Sequence, residues 1–285
     1  MNKHRTALNA LYAHAISEDL LPPGANPVAL LPRQRRANDE AQVDPFEAPE
    51  VVLILEALRL GVPRHNRVAH CFREYVATLL YTGLRPSEAQ GLLVRHVRFT
   101  DHTLVVRRHA RRSTDLKTEG SDRVVPLYPQ LAAILAPYCD ARREEVGDDG
   151  FLFARWSPDK KAEVMLGNVN EAWHSVLKAC EIPRHTIYAC RHTFASHALQ
   201  LLRGGAPISD LDVAWLLGHG NALLVRRRYG HRLTYIPPRS EALEFNAEHW
   251  VHLPEFYARL TRLYEKAGVK PEGKITAPTT ARVSP

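Results

Sequence analysis

Residues 103–108 and 122–127 place Val and Leu in alternation with polar residues, inside a chain whose other apolar residues recur at helical spacing. Alternation sends successive side chains to opposite faces of a strand, whereas spacings of three and four line one face of a helix. The pattern therefore predicts a mainly helical fold with a little sheet set into it. Helices are expected over 2–20, 49–60, 68–81, 130–145, 169–180, 188–202, 209–217 and 223–229, with an amphipathic stretch over 253–267. A further helix starts near Pro86, where proline suits a first turn. Phe151-Leu152-Phe153 reads as a short apolar strand, and 111–121 has room for another strand and turns.

The punctuation between these segments suggests a division of the chain. Residues 1–31 hold one helix closed by Leu21-Pro22-Pro23-Gly24, and 32–49 is polar, charged and flanked by prolines, which suits an exposed linker. A lone helix cannot bury its own apolar face, so the first must pack on something. The main domain is expected over 50–235, a helical extension over 236–268, and a Pro-, Thr- and Lys-rich tail, disordered by composition, over 269–285.

Charge narrows the function. The 285 residues carry a net charge of +7, and the excess is local. Between residues 85 and 123, nine Lys or Arg face five Asp or Glu; between 184 and 232, seven Arg face two Asp. Such a field favours an anionic partner. The four cysteines are far apart and form no CxxC pair, which argues against a zinc module and against a secreted disulfide framework. No apolar run approaches a membrane span, no signal peptide opens the chain, and no Gly-rich phosphate loop points to ATP. The expectation is a cytoplasmic protein without cofactor or metal.

The two basic segments hold the residues that chemistry would use. Thr82-Gly83-Leu84-Arg85-Pro86-Ser87-Glu88 places an arginine at a helix start. Cys190-Arg191-His192-Thr193 places a second, and Leu217-Gly218-His219 precedes Tyr229 by ten residues in Arg226-Arg227-Arg228-Tyr229-Gly230-His231. Breaking a phosphodiester with a side-chain hydroxyl requires charge stabilisation on the non-bridging oxygens, a deprotonated nucleophile and a protonated leaving group. A guanidinium donates two parallel bonds to phosphate and stays charged, which suits Arg85 and Arg191. His219 is placed to bond the phosphate or take the tyrosine proton, and Tyr229 is the candidate nucleophile. Glu88, three residues after Arg85, either orients it or is a surface pair with it.

In the order Arg, Arg, His, Tyr, and in the flanking residues, the chain resembles the tyrosine recombinase, or integrase, family over about 44–232. The resemblance implies that family's catalytic-domain fold, mainly α with a small antiparallel β-sheet. It implies site-specific cutting and rejoining of double-stranded DNA through a 3′-phosphotyrosyl bond, with integration or excision of a mobile element. It also implies a homotetramer on paired sites, with accessory DNA-bending proteins as further partners. By the same resemblance, residues 1–31 look like the last helix of a DNA-clamping domain, 253–267 is a candidate contact with a neighbouring protomer, and Lys117 is the acid for the leaving oxygen. One position departs from the family, which usually has His where this chain has Tyr188; a phenol can donate to phosphate but does not shuttle protons near neutrality. Three readings stay open beside recombination: a telomere resolvase, a type IB topoisomerase-like enzyme, and a non-catalytic DNA-binding relative.

Overall fold

The computed structural model describes residues 2–31, 45–62, 69–107, 123–199, 202–203, 206–207, 210–218 and 253–270. The chain divides into two units, Met1–Gln42 and Val43–Pro285. In the first, helix α1 (Asn2–Ser17) is followed by a short 3₁₀ turn, Pro27–Ala29, that buries Val28. Asn26 joins the two, donating to the Asn9 side chain and accepting from the Val28 amide. Leu8 and Leu11 are exposed on α1.

The second unit is built around one helix. After α2 (Ala48–Arg59), helix α3 (Ala69–Thr82) buries Cys71, Phe72, Tyr75, Val76, Leu79 and Leu80, together with Ala77, Thr78, Tyr81 and Thr82. A helix apolar on every side belongs in the middle of a core. The short α4 (Pro86–Gln90) follows, then a three-stranded antiparallel sheet of β1 (Val97–Arg98), β2 (Thr103–Val106) and β3 (Arg123–Pro126). Its register pairs Leu104 with Val125 and Val106 with Arg123.

Helix α5 (Pro129–Val146) leads to an antiparallel hairpin, β4 (Ala154–Ser157) with β5 (Ala162–Met165). Helices α6 (Asn170–Ala179) and α7 (Ala189–Ala198), a small ladder of β6 (Leu202–Arg203) with β7 (Ala206–Pro207), α8 (Asp210–Leu216) and α9 (Pro254–Ala267) complete the described elements. Helix α3 lies against α2, α4, α5 and α7. The result is the mainly helical fold with small antiparallel sheets that the sequence predicts.

Four local expectations need correction. Residues 45–49 are not linker: Phe46 is 1% exposed, its amide donates to Thr193 Oγ1 and its carbonyl meets His197 Nε2, so an aromatic in a polar stretch is drawn into the core. Phe151 forms an isolated bridge to Leu93 and not a strand, and the strand begins at Ala154. Helix α7 stops at Ala198, and Leu202, expected to close it, lies in strand β6 instead. Helix α9 buries Phe256, Leu260, Leu263 and Tyr264 within its own chain and lies along α2, so that apolar stripe is already occupied. Its Arg259 and Lys266 donate to the carbonyls of Cys180, Glu181 and Ala179 where α6 ends, satisfying acceptors a helix terminus leaves open.

Candidate active site

The site begins where α3 stops. Gly83 has φ +64°, and a Cβ there would stand 2.4 Å from Phe194 Cδ1 and 2.8 Å from Leu217 Cδ2. Only glycine fits both the left-handed backbone and the close approach. The turn delivers Arg85 to the N-cap of α4, where Glu88, at the third helical position, accepts the Arg85 amide at 2.8 Å and its guanidinium at 2.5 Å. Glu88 is therefore no loose surface pair; its side chain is 15% exposed and is shared with a second arginine.

That second arginine is Arg123, the first residue of β3. Strand alternation puts it on the inner face with Val125, while Val124 points out. Its Nη2 lies 2.9 Å from Glu88 Oε2 and its Nη1 3.3 Å from Oε1, a forked pairing, while Nε donates to the Leu216 carbonyl at 2.8 Å. Burial works to raise the Glu88 pKa. The hydrogen bonds and charges of Arg123, then of Arg85, outweigh it and hold the carboxyl below its ordinary range.

The third arginine comes from α7. Arg191 is 1% exposed and donates to the Gly83 carbonyl at 2.7 Å and the Leu217 carbonyl at 2.6 Å. Burial pulls its pKa down; the Arg85 and Arg123 charges push the same way, against Tyr188 and Glu88. A guanidinium so placed stays charged at neutral pH. Tyr188, the N-cap of α7, is half-buried, with its ring edge-on to His192 and its centroid 6.0 Å from the Arg191 guanidinium carbon. The ring lies close enough for a cation–π contact with Arg191. His185 packs against Phe46 instead, its ring 5.0 Å away.

All three arginines meet at the end of α8. Arg123 holds the Leu216 carbonyl, Arg191 the Leu217 carbonyl, and Arg85 the Gly218 carbonyl at 3.3 Å. A helix leaves its last carbonyls without partners and carries partial negative charge there, which cations complement. Gly218, with φ +61°, ends the helix in the left-handed cap conformation, and a Cβ there would stand 2.8 Å from Arg123 Nη1. Among the described residues Arg85 and Arg123 share the Glu88 carboxylate, and all three guanidiniums reach carbonyl oxygens. Arg85 is the most open of the three, its side chain 35% exposed. Such a cradle is suited to a doubly liganded anion such as a phosphodiester.

The structure thus brings Arg85, Glu88, Tyr188 and Arg191 together. Lys117, His219 and Tyr229 lie outside the described residues. Arg123 had been given no role from sequence, although strand parity with Val125 was the signal that could have placed it inside.

Comparison with known proteins bears on the whole assembly. The model of the phage integrase family matches residues 47–234. The tyrosine recombinase XerC of Pelobacter propionicus is 29% identical over 160 residues, covering 56% of this chain and 47% of its own. The transposase from transposon Tn916 of Enterococcus faecalis is 24% identical over 267 residues, 87% of this chain and 62% of its own. The chain spans about half to three-fifths of the length of these relatives. Among solved structures, the Tn1549 transposon integrase in complex with circular intermediate DNA matches with a TM-score of 0.55 at 18% identity, covering 80% of this chain and 73% of that one. The XerH site-specific recombinase bound to a palindromic difH substrate, a post-cleavage complex, matches with a TM-score of 0.53 at 18% identity, over 70% of this chain and 53% of that one. At these identities the likeness establishes the fold, that of the tyrosine recombinase catalytic domain.

Proposed function

The chain belongs to the phage integrase family, and on that premise we propose that it is a site-specific DNA recombinase using Tyr229 as nucleophile. The observation that carries the proposal is the convergence of Arg85, Arg123 and Arg191 on three consecutive carbonyls, 216–218, with Glu88 as the carboxylate that Arg85 and Arg123 share. One peptide bond beyond Gly218 stands His219, and Tyr229 follows ten residues later. The converging guanidiniums stand where a scissile phosphate would be held.

In this reading, Tyr229 Oη attacks phosphorus in line, forming the Oη–P bond as the P–O5′ bond breaks. The phenolic proton passes to a base, for which His219 is the candidate, and Lys117 protonates the departing 5′ oxygen. Arg85 and Arg191 carry the developing charge on the non-bridging oxygens. The half-buried Tyr188, against Arg191, is a donor to the same phosphate. The phosphotyrosyl ester conserves the bond, so a 5′-hydroxyl from a second strand reverses the step without ATP. Double-stranded DNA is the substrate, and a homotetramer on two paired sites is the working assembly. The relatives from transposons Tn916 and Tn1549 support a mobile element as the setting, with integration or excision as the outcome.

The test is covalent trapping on nicked duplexes carrying candidate element junctions. The wild type forms a protein–DNA adduct, and Tyr229→Phe forms none while its DNA affinity stays nearly unchanged, because affinity rests on many phosphate contacts. An adduct that persists in the Phe variant places the nucleophile elsewhere. A wild type that binds but never forms an adduct reassigns the chain to a binding role.

A further inference from the structure

Arg123 differs from Arg85 in what it can reach. Its side chain is 2% exposed, against 35% for Arg85. Its guanidinium is committed to Glu88 through a fork and to the Leu216 carbonyl through Nε. Gly218 closes over it so tightly that an added Cβ would meet Nη1 at 2.8 Å. With its N–H groups committed to Glu88 and to Leu216, Arg123 acts on the reaction through those partners.

Those partners belong to three separate parts of the chain. Arg123 is the first residue of β3 and pairs with Val106 at the last rung of the β2–β3 ladder, six residues after Lys117 in sequence. Glu88 sits on α4 and holds both the amide and the guanidinium of Arg85. Leu216 is the last residue of α8, three before His219. One planar group thus fixes the start of β3, the carboxylate that aims Arg85, and the end of α8 relative to one another.

We propose that Arg123 is a positioning residue for strand cleavage, holding β3, Glu88 and the carbonyl end of α8 in one register so that the groups carried on these elements meet at a single phosphate. The proposal rests on the recombinase reading and adds to it a residue that does not touch DNA. A lysine cannot serve as well: a single ammonium lacks the planar fork needed to bond both Glu88 oxygens and the Leu216 carbonyl together. Displacing a catalytic group by about an ångström costs on the order of a hundredfold in rate.

The experiment is single-turnover cleavage of a nicked duplex, with DNA affinity measured separately, for the full-length wild type, Arg123→Met, Arg123→Lys, Glu88→Gln and the Glu88→Gln/Arg123→Met pair. Arg123→Met is expected to cleave roughly tenfold to a hundredfold more slowly with affinity within about twofold, and Arg123→Lys to fall between it and the wild type. In the Glu88→Gln background, Arg123→Met is expected to cost much less than alone, because the two act as a unit. Additive losses, or affinity falling in step with rate, overturn the proposal and leave Arg123 a structural residue. If Arg123→Met does not fold, Arg123→Lys decides: cleavage at the wild-type rate overturns the proposal, and slowed cleavage at unchanged affinity and melting temperature supports it. Normal wild-type adducts with a fully active Arg123→Met sink this inference alone, whereas absence of wild-type adducts sinks the recombinase reading and this inference with it.

Discussion

Two buried arginine clusters in this molecule solve opposite problems. In the first, Arg142 of α5 is 3% exposed, lies 2.5 Å from Glu145 and makes a fork with Glu163 of β5 at 2.8 and 3.1 Å, while Nη2 also takes the Phe151 carbonyl. One guanidinium meets two carboxylates. Burial pulls its pKa down, but the bonds to Glu163 and Glu145 more than reverse this, and the net shift is upward. In the second cluster, Arg85 and Arg123 share Glu88, and Arg191, held by carbonyls, is shifted downward. The first cluster is electrically complete and ties α5 to the β4–β5 hairpin. Among the described residues the second brings three guanidiniums to one carboxylate and a helix end, where the proposed reaction would place a phosphate. Stability and function are thus separated by charge balance, not by residue type.

The sharpest way to break this comparison is to remove one arginine from each cluster without changing volume much. Arg191→Met is expected to lower single-turnover cleavage on the order of a hundredfold or more, the scale for losing one donor to a transition state. Its unfolding free energy should move less than that of Arg142→Met, because the lost carbonyl bonds are opposed by relief of repulsion from Arg85 and Arg123. Equal destabilisation of the two variants would show that Arg191 is held for structure and that the charge imbalance has no functional meaning.

The reciprocal change tests the other half. Arg142→Met takes the bonded arginine from Glu163 and from the mostly exposed Glu145 and should cost about 1–2 kcal/mol in urea unfolding. Cleavage per folded molecule should be unaltered, since no group of that cluster bonds to the residues around Glu88. A cleavage defect in folded Arg142→Met would mean that the two clusters are coupled through the core.

Much of this was open to reading in the sequence. The helical period of 48–59, 69–82 and 129–146 is strong because each helix has a wide apolar face, and the observed ends fall within a residue or two of those predicted. The Arg85 and Arg191 motifs were legible because proline and glycine punctuate the chain where the site needs turns. Other parts were not. The β4–β5 hairpin exposes Trp156 and half-buries most of β5, so it carries no clean alternation to detect. Phe46 looked like an isolated aromatic in a linker, because its partners Thr193 and His197 lie almost 150 residues away. Arg123 occupies an inward strand position that sequence logic reserves for apolar residues, and what reconciles it with burial is a carboxylate on α4 and a carbonyl on α8. A buried charge is visible in sequence only when its partner is already known.

The smallest effect expected concerns acid, and it sharpens the comparison at Glu88. The folded protein holds this carboxyl below its ordinary range, chiefly through Arg123 and Arg85 acting against burial. The carboxylate form is therefore favoured by folding, and its contribution to stability is complete above the pKa of the unfolded chain, about 4.5. It is lost as pH falls through the lower folded-state value. Glu88→Gln removes the titrating group while keeping a similar shape. The stability gap between wild type and Glu88→Gln should be constant from neutral pH down to about 5 and close progressively below it. Added inorganic phosphate at neutral pH should stabilise Glu88→Gln at least as much as the wild type, because Arg85 and Arg123 then lack the carboxylate they share. A gap that stays open through the acid limb would mean that Glu88 is not held as the charged partner of Arg85 and Arg123. The cluster would then be closer in kind to the one around Arg142 than its bonding indicates.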